Sequence, residues 1–136
     1  LEASGEGAMT IADWCVLGAV LLYLLTLAPA KVIGRPRFDN SNPRDPAFYR
    51  TAMRARALGA HLNGIETFPF FAFAVLIAEF RTGPQFWIDA LAVAFLVLRF
   101  TFVYFYLSDK PTLRTLIWNA GFAVNVAIFV SPLYPH

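Results

Sequence analysis

The chain is expected to fold as an all-α integral membrane protein, a four-helix transmembrane bundle. Three observations predict this. Of its 136 residues, 58% are hydrophobic and 15% charged, whereas a soluble domain is about 45–50% apolar and about a quarter charged. The apolar residues, fourteen Phe among them, gather into four long runs, each close to the roughly 20 helical residues that cross a bilayer. The turns between the last three runs are so short that the helices they join must be antiparallel neighbours.

Taken in order, residues 1–8 are small, polar and unpatterned. They read as an appendage ahead of a native start at Met9 and are set aside from the fold. Residues 9–136 read as one four-span unit. The first span covers roughly residues 11–33. Ala28-Pro29-Ala30 could pass for a signal-peptidase site, but no Lys or Arg precedes the apolar run and Asp13 does. That is the wrong charge for a signal peptide, so the span is retained. The second span, residues 48–80, begins as a basic amphipathic helix and is fully apolar from about Leu58. Arg81-Thr82-Gly83-Pro84 forms the next turn, the third span follows at residues 85–107, and Ser108-Asp109-Lys110-Pro111 turns again. The fourth span, residues 112–130, stops at Ser131-Pro132. There is no internal repeat and no low-complexity tract.

The net charge of +2 says little, but its distribution says more. Lys31, Arg35, Arg37, Arg44, Arg50, Arg54 and Arg56 all lie in the first connecting segment, and Lys110 and Arg114 flank the third. The other side carries only Arg81, against Glu2, Glu6, Asp13 and Asp89. The positive-inside rule therefore puts both basic connections in the cytoplasm and both termini on the non-cytoplasmic side. Trp14, Trp87 and Tyr134 fall near the outer boundary, and Tyr49, Tyr106 and Trp118 near the inner one, as an aromatic belt would. Cys15 is the lone cysteine, so no intrachain disulfide forms, and its apolar surroundings make it a packing residue. His61 and His136 are too few and too far apart for a metal site, and no nucleic-acid partner is expected.

Polar residues inside the spans carry the functional signal, because an ionisable group in a membrane is expensive without a partner. Glu66 lies eight residues past Leu58, and Arg99 eight before Leu107. Both are thus roughly 12 Å from the same membrane face, which predicts a mainly structural Glu66–Arg99 ion pair. Arg56, Asn63 and Glu66 share one helical face, and Arg99 and Tyr106 share another with Phe102 between them. Pro69 can kink the second span and free the carbonyl of Ile65. Arg114 and Trp118 share a face at the start of span four, with Thr115 and Asn119 on the adjacent one. Asn119 and Asn125 read as interhelical hydrogen-bonding residues. Arg56, Asn63, Tyr106 and Arg114 converge at one end, which suits an anionic polar ligand from the cytoplasm meeting an apolar one from lipid.

The pattern Arg56, Ala60, Asn63, Glu66, Pro69 resembles the second-helix signature of the MAPEG family (membrane-associated proteins in eicosanoid and glutathione metabolism). Arg99 and Tyr106, in Leu-Arg-Phe-Thr-Phe-Val-Tyr-Phe-Tyr-Leu, are similar to that family's third-helix Arg and Tyr, and Arg114-Thr115 to the start of its fourth helix. The resemblance covers nearly everything from Met9 and is closest to divergent, bacterial members. It implies a homotrimer in a bacterial inner membrane (the endoplasmic reticulum if eukaryotic), binding glutathione between subunits in the cytoplasmic half. By the same resemblance Asn63 and Glu66 help hold glutathione, Tyr106 lines the site, Arg114 stabilises the thiolate and Thr115 supplies a hydroxyl. His61, beside the motif, reads as a hydrogen-bonding group near the site. Arg56 and Arg99 complete the cofactor-binding set.

The chain departs from the eicosanoid-making relatives in four places. Gly59 and Leu62 stand where arginines occur, Phe102 where a histidine does and Trp118 where a tyrosine does. Fewer cations imply either that the tripeptide sits differently or that another thiol replaces it. The expected function is a glutathione-dependent transferase or peroxidase acting on lipophilic electrophiles or lipid hydroperoxides. The alternative is a non-catalytic, lipid-binding relative. A four-span multidrug transporter needs a Glu without a fixed cation, and the depth-matched Arg99 weighs against it.

Overall fold

The computed structural model describes residues 7–135 and consists of four helices, each long and apolar enough to cross a membrane. They are α1 (Ile11–Val32), α2 (Ala52–Phe80), α3 (Gln85–Leu107) and α4 (Pro111–Val130), with no strand among the described residues. The chain is an integral membrane protein built as a four-helix bundle. Residues 1–6 and His136 lie outside the described residues, so most of the expected appendage, with Glu2 and Glu6, is not addressed by the structure.

Local chemistry sets the helix ends. Thr10 caps α1: its hydroxyl accepts from Asp13 N (3.1 Å) while Asp13 Oδ2 accepts from Thr10 N (2.9 Å), a capping box. α2 and α3 both end in Schellman turns. In the first, Thr82 N bonds Glu79 O and Gly83 N bonds Ala78 O; in the second, Asp109 N bonds Tyr106 O and Lys110 N bonds Phe105 O. The left-handed positions are Thr82 (φ 54°) and Asp109 (φ 56°), not glycine. Gly83 serves another purpose, since a Cβ there would crowd Ala78 O and Ser131 Oγ at 3.1–3.2 Å. A proline follows each turn, and Pro111 starts α4, where no amide is needed. Pro29 and Pro69 sit inside α1 and α2, which both continue as helix past them.

The second segment differs from expectation. A short 3₁₀ turn at Phe48–Arg50 is separated from α2 by Thr51, which is extended at ψ 144°. The break lets Phe48 and Tyr49 turn inward onto Leu27 and Ala30 of α1 and Ala57 of α2. Arg54 holds this corner. It is buried, its Nη2 donates to Ile33 O and Pro36 O (3.0 Å each), and its guanidinium lies 4.0 Å over the Phe48 ring. From the sequence Arg54 reads only as an orientation charge; in the structure it is a clamp.

Small residues bring the helices close. Ala12, Cys15 and Ala19 of α1 meet Ala74 and Ala78 of α2 and Ala92 of α3, with Phe71, Ile88, Phe95 and Ile128 filling between them. On α3 the buried stripe runs Ile88, Ala92, Phe95, Arg99, Phe102, so the helical period itself carries Arg99 inward. At the acidic end, polar groups tie α1 to α2 and α3. Thr10 Oγ1 donates to Glu79 Oε1 (2.7 Å), Ala12 N donates to Asp89 Oδ1 (2.9 Å), and Gln85 Nε2 donates to both carboxylates.

Candidate functional site

α2, α3 and α4 open toward the other end of the bundle around a groove of about 410 Å³, within the range of small-molecule sites. α2 lines it with Gly59, Leu62, Asn63 and Glu66, a set spaced for one helical face. α3 adds Phe102 and Tyr106, and α4 adds Arg114, Thr115 and Trp118.

The Arg114 guanidinium lies 4.4 Å from the centre of the Tyr106 ring, which in turn packs edge-on against Phe102 at 5.6 Å. Tyr106 lies this close to α2 because residue 59 is glycine; a Cβ there would overlap the Tyr106 hydroxyl. Arg114 has no carboxylate within ion-pair distance among the described residues, so its charge is turned to the groove and an aromatic face. The Thr115 hydroxyl donates to Pro111 O at 3.0 Å and keeps its lone pairs as acceptors. A cation held without an anion can stabilise an incoming thiolate, and Glu66 offers a carboxylate to an ammonium or amide N–H.

Arg114, Tyr106, Asn63, Glu66 and Thr115 thus meet in one groove. Arg99 does not pair with Glu66. Its Nη1 donates to Asn63 Oδ1 at 3.0 Å and its guanidinium lies 4.2 Å over Phe102. Equal depth brought Arg99 level with α2, but its inward stripe aims it at Asn63, one turn away, while the Glu66 side chain lines the groove. Arg99 therefore stands behind the site and positions Asn63. Glu66 thus has no fixed cationic partner among the described residues, and the expected pair does not weigh against a transporter.

His61 lies elsewhere. Two residues from Asn63 at about 100° each is roughly half a turn, which points it at α1, where Nδ1 donates to Tyr23 O at 2.6 Å. Arg56 is also outside the groove: it approaches Asp109 in the α3–α4 turn at 3.9 Å. Seven residues preserve the face but add roughly 10 Å along the axis.

A second cavity of about 140 Å³ adjoins the groove, with Glu66, Phe102 and Trp118 lining both. It extends between α2, α3 and α4 to Asn125. Neither asparagine of α4 bonds another helix as expected. Asn119 Nδ2 donates to Thr115 O of its own helix (2.9 Å), and buried Asn125 Oδ1 has no partner among the described residues. Sequence reasoning missed Gly121 and Phe95 as walls of this cavity. The available signal was Gly121, a residue without a side chain one helical turn before Asn125.

A family model described as the MAPEG family matches residues 11–134. No curated protein and no solved structure matches the chain.

Proposed function

Because the chain belongs to the MAPEG family, we propose that it is a membrane-embedded, glutathione-dependent transferase or peroxidase acting on lipophilic electrophiles or lipid hydroperoxides. The observation that carries this reading is Arg114, a groove-lining cation stacked on Tyr106 with no acidic partner among the described residues. Glutathione, when bound, supplies the nucleophilic sulfur. Arg114 lowers the thiol's pKa and holds the thiolate. Glu66 receives the ammonium group, while Asn63, fixed by Arg99, presents its amide to the peptide. Tyr106 closes the wall and Thr115 adds an acceptor.

One cation in the groove matches the thiolate but leaves the two carboxylates of glutathione without partners on this chain. In a homotrimer, the Arg-rich connection of a neighbouring subunit supplies them, and the electrophile arrives laterally from lipid. The basic connections then face the cytoplasm and both termini the other side.

Calorimetric titration with glutathione tests the reading. Binding at or below millimolar concentration is expected, with glutathione conjugation that falls roughly 100-fold in Arg114→Ala, the scale of one lost transition-state charge contact. No heat at millimolar glutathione ends it. Apolar Leu62 and Phe102 in the groove favour a second reading, a lipid-binding protein without catalysis; co-purified lipid and no thiol activity would establish that instead.

A further inference from the structure

Another groove, of about 470 Å³, runs between α1 and α3 and shares no lining residue with the groove at Arg114. It reaches from Gly18 and Leu96 to Pro29 and Leu107. Eleven residues on each helix make it roughly 16 Å long, against a hydrocarbon core of about 30 Å. That length matches one leaflet, so the groove suits an acyl chain and not a spanning helix. Its lining is apolar: the one hydroxyl, on Thr26, donates to Leu22 O at 2.7 Å.

At the basic end the groove joins a space of about 410 Å³, with Thr26, Pro29 and Leu107 lining both. Here the walls gain Arg35, Arg54 and, through Thr51 and Met53, the start of α2. That helix start has no side-chain cap, and free amides at a helix N-terminus attract an anion. Arg54, 5% exposed, donates to carbonyls alone. Neither it nor Arg35 lies within ion-pair distance of a carboxylate among the described residues. Two cations without counter-ions, beside an apolar groove one leaflet long, call for an amphiphile with an anionic head and a long chain.

We propose that this groove is a binding site for an anionic phospholipid of the leaflet on the basic side. The phosphate meets Arg35 and the start of α2, while Arg54 adds its charge from behind and keeps its carbonyl partners. One acyl chain lies along α1 and α3 and covers Leu21, Leu25 and Phe100, which the chain itself leaves exposed. The site stands apart from the thiol-transfer reading, since the two grooves have no residue in common.

Photolabelling of the intact protein in nanodiscs tests it, using phosphatidylglycerol or phosphatidylcholine with a diazirine in the acyl chain. Saturable label from the phosphatidylglycerol probe is expected on the α1 peptide around Leu25 and the α3 peptide around Phe100. It should exceed the phosphatidylcholine label several-fold. Arg35→Gln is expected to lower it roughly 5-fold, the scale of one basic residue at an anionic surface. Val103→Phe, whose ring fills the groove, is expected to remove the saturable label. Leu25→Trp, at an exposed position on the groove wall, should reduce it with the melting temperature unchanged, which separates loss of the site from loss of the fold. Equal saturable label from the two lipids, or label indifferent to Arg35→Gln, leaves ordinary bilayer contact only and overturns the proposal. Absence of label from both probes, with Leu25→Cys cross-linking between copies, gives this face to a second subunit and overturns it too. Competition by glycerol phosphate with no effect of Val103→Phe makes the place a soluble-anion site, and the lipid assignment fails.

Discussion

At the acidic end of the bundle, Thr10, Glu79, Gln85 and Asp89 bond to one another and to the backbone of α1. At the other end, Glu66, Tyr106 and Arg114 line an open groove, and Arg114 meets an aromatic face in place of an anion. Both ends carry charge into or beside a membrane, where polar groups require partners. The first end supplies those partners from within the chain and so acts as scaffold. The second leaves Arg114 without an anionic partner among the described residues and open to the groove, which makes that end the candidate site. Arg54 refines the contrast: it lies in the Arg-rich segment but is fully engaged by Ile33, Pro36 and Phe48, so it belongs with the scaffold.

Substitutions can break this comparison. The largest effect is expected from Arg114→Ala, which should cost roughly 100-fold in glutathione-dependent rate and leave the melting temperature unchanged, measured by turnover and thermal scanning in detergent. A fall in both would place Arg114 in the scaffold. Next is a pair of alanines five residues apart on α2. A Cβ at Gly64 would overlap Tyr23 at its own Cβ, close to the α1 backbone, so the helices must separate. Gly64→Ala is expected to destabilise by about 1–3 kcal/mol, as overpacking does. A Cβ at Gly59 meets only the far end of the Tyr106 side chain, which can swing away. Gly59→Ala should therefore keep the stability and weaken glutathione binding. Equal stability losses in the two would remove the distinction between the helix's two faces.

A smaller effect is expected from Glu79→Ala, which removes the acceptor of Thr10 and Gln85. A loss of about 1 kcal/mol, at the low end because the carboxylate is half-exposed, should appear without change in glutathione affinity. The smallest lies in the α1–α2 connection. The hydroxyl and amide of Ser41 hold the Asp39 carboxyl below the usual aspartate range. Its folded pKa is depressed, so the turn is favoured above the ordinary carboxylate pKa and loosens as pH falls through the lowered value. Nuclear magnetic resonance should give Asp39 a titration midpoint below that of an unperturbed aspartate, and Ser41→Ala should raise it.

Some of this was legible in the residues alone. Hydropathy and length announced four helices because a bilayer admits few other solutions for long apolar runs. The turn sequences marked the helix ends, although the left-handed positions went to Thr82 and Asp109, since the hydrogen-bonding pattern, not the nearest glycine, decides which residue turns. Periodicity grouped Asn63 with Glu66 and Arg114 with Trp118, because residues three or four apart on a helix share a face.

Partnership across helices was a different matter. Matching depths paired Arg99 with Glu66, but depth is one coordinate and contact requires three. The rotation of α3 within the bundle, set by Ile88, Ala92 and Phe95 packing inward, turned Arg99 to Asn63 and left Glu66 to the groove. The same packing directed His61 to Tyr23 and opened a cavity beside Asn125 where an interhelical bond was expected. The sequence by itself determined that this chain crosses a membrane four times and which helical faces carry its polar groups, since hydropathy and helical period are local properties. Only the tertiary structure decided which of those groups are satisfied within the fold and which remain for a ligand, because each helix's rotation is settled by how its side chains pack against the others.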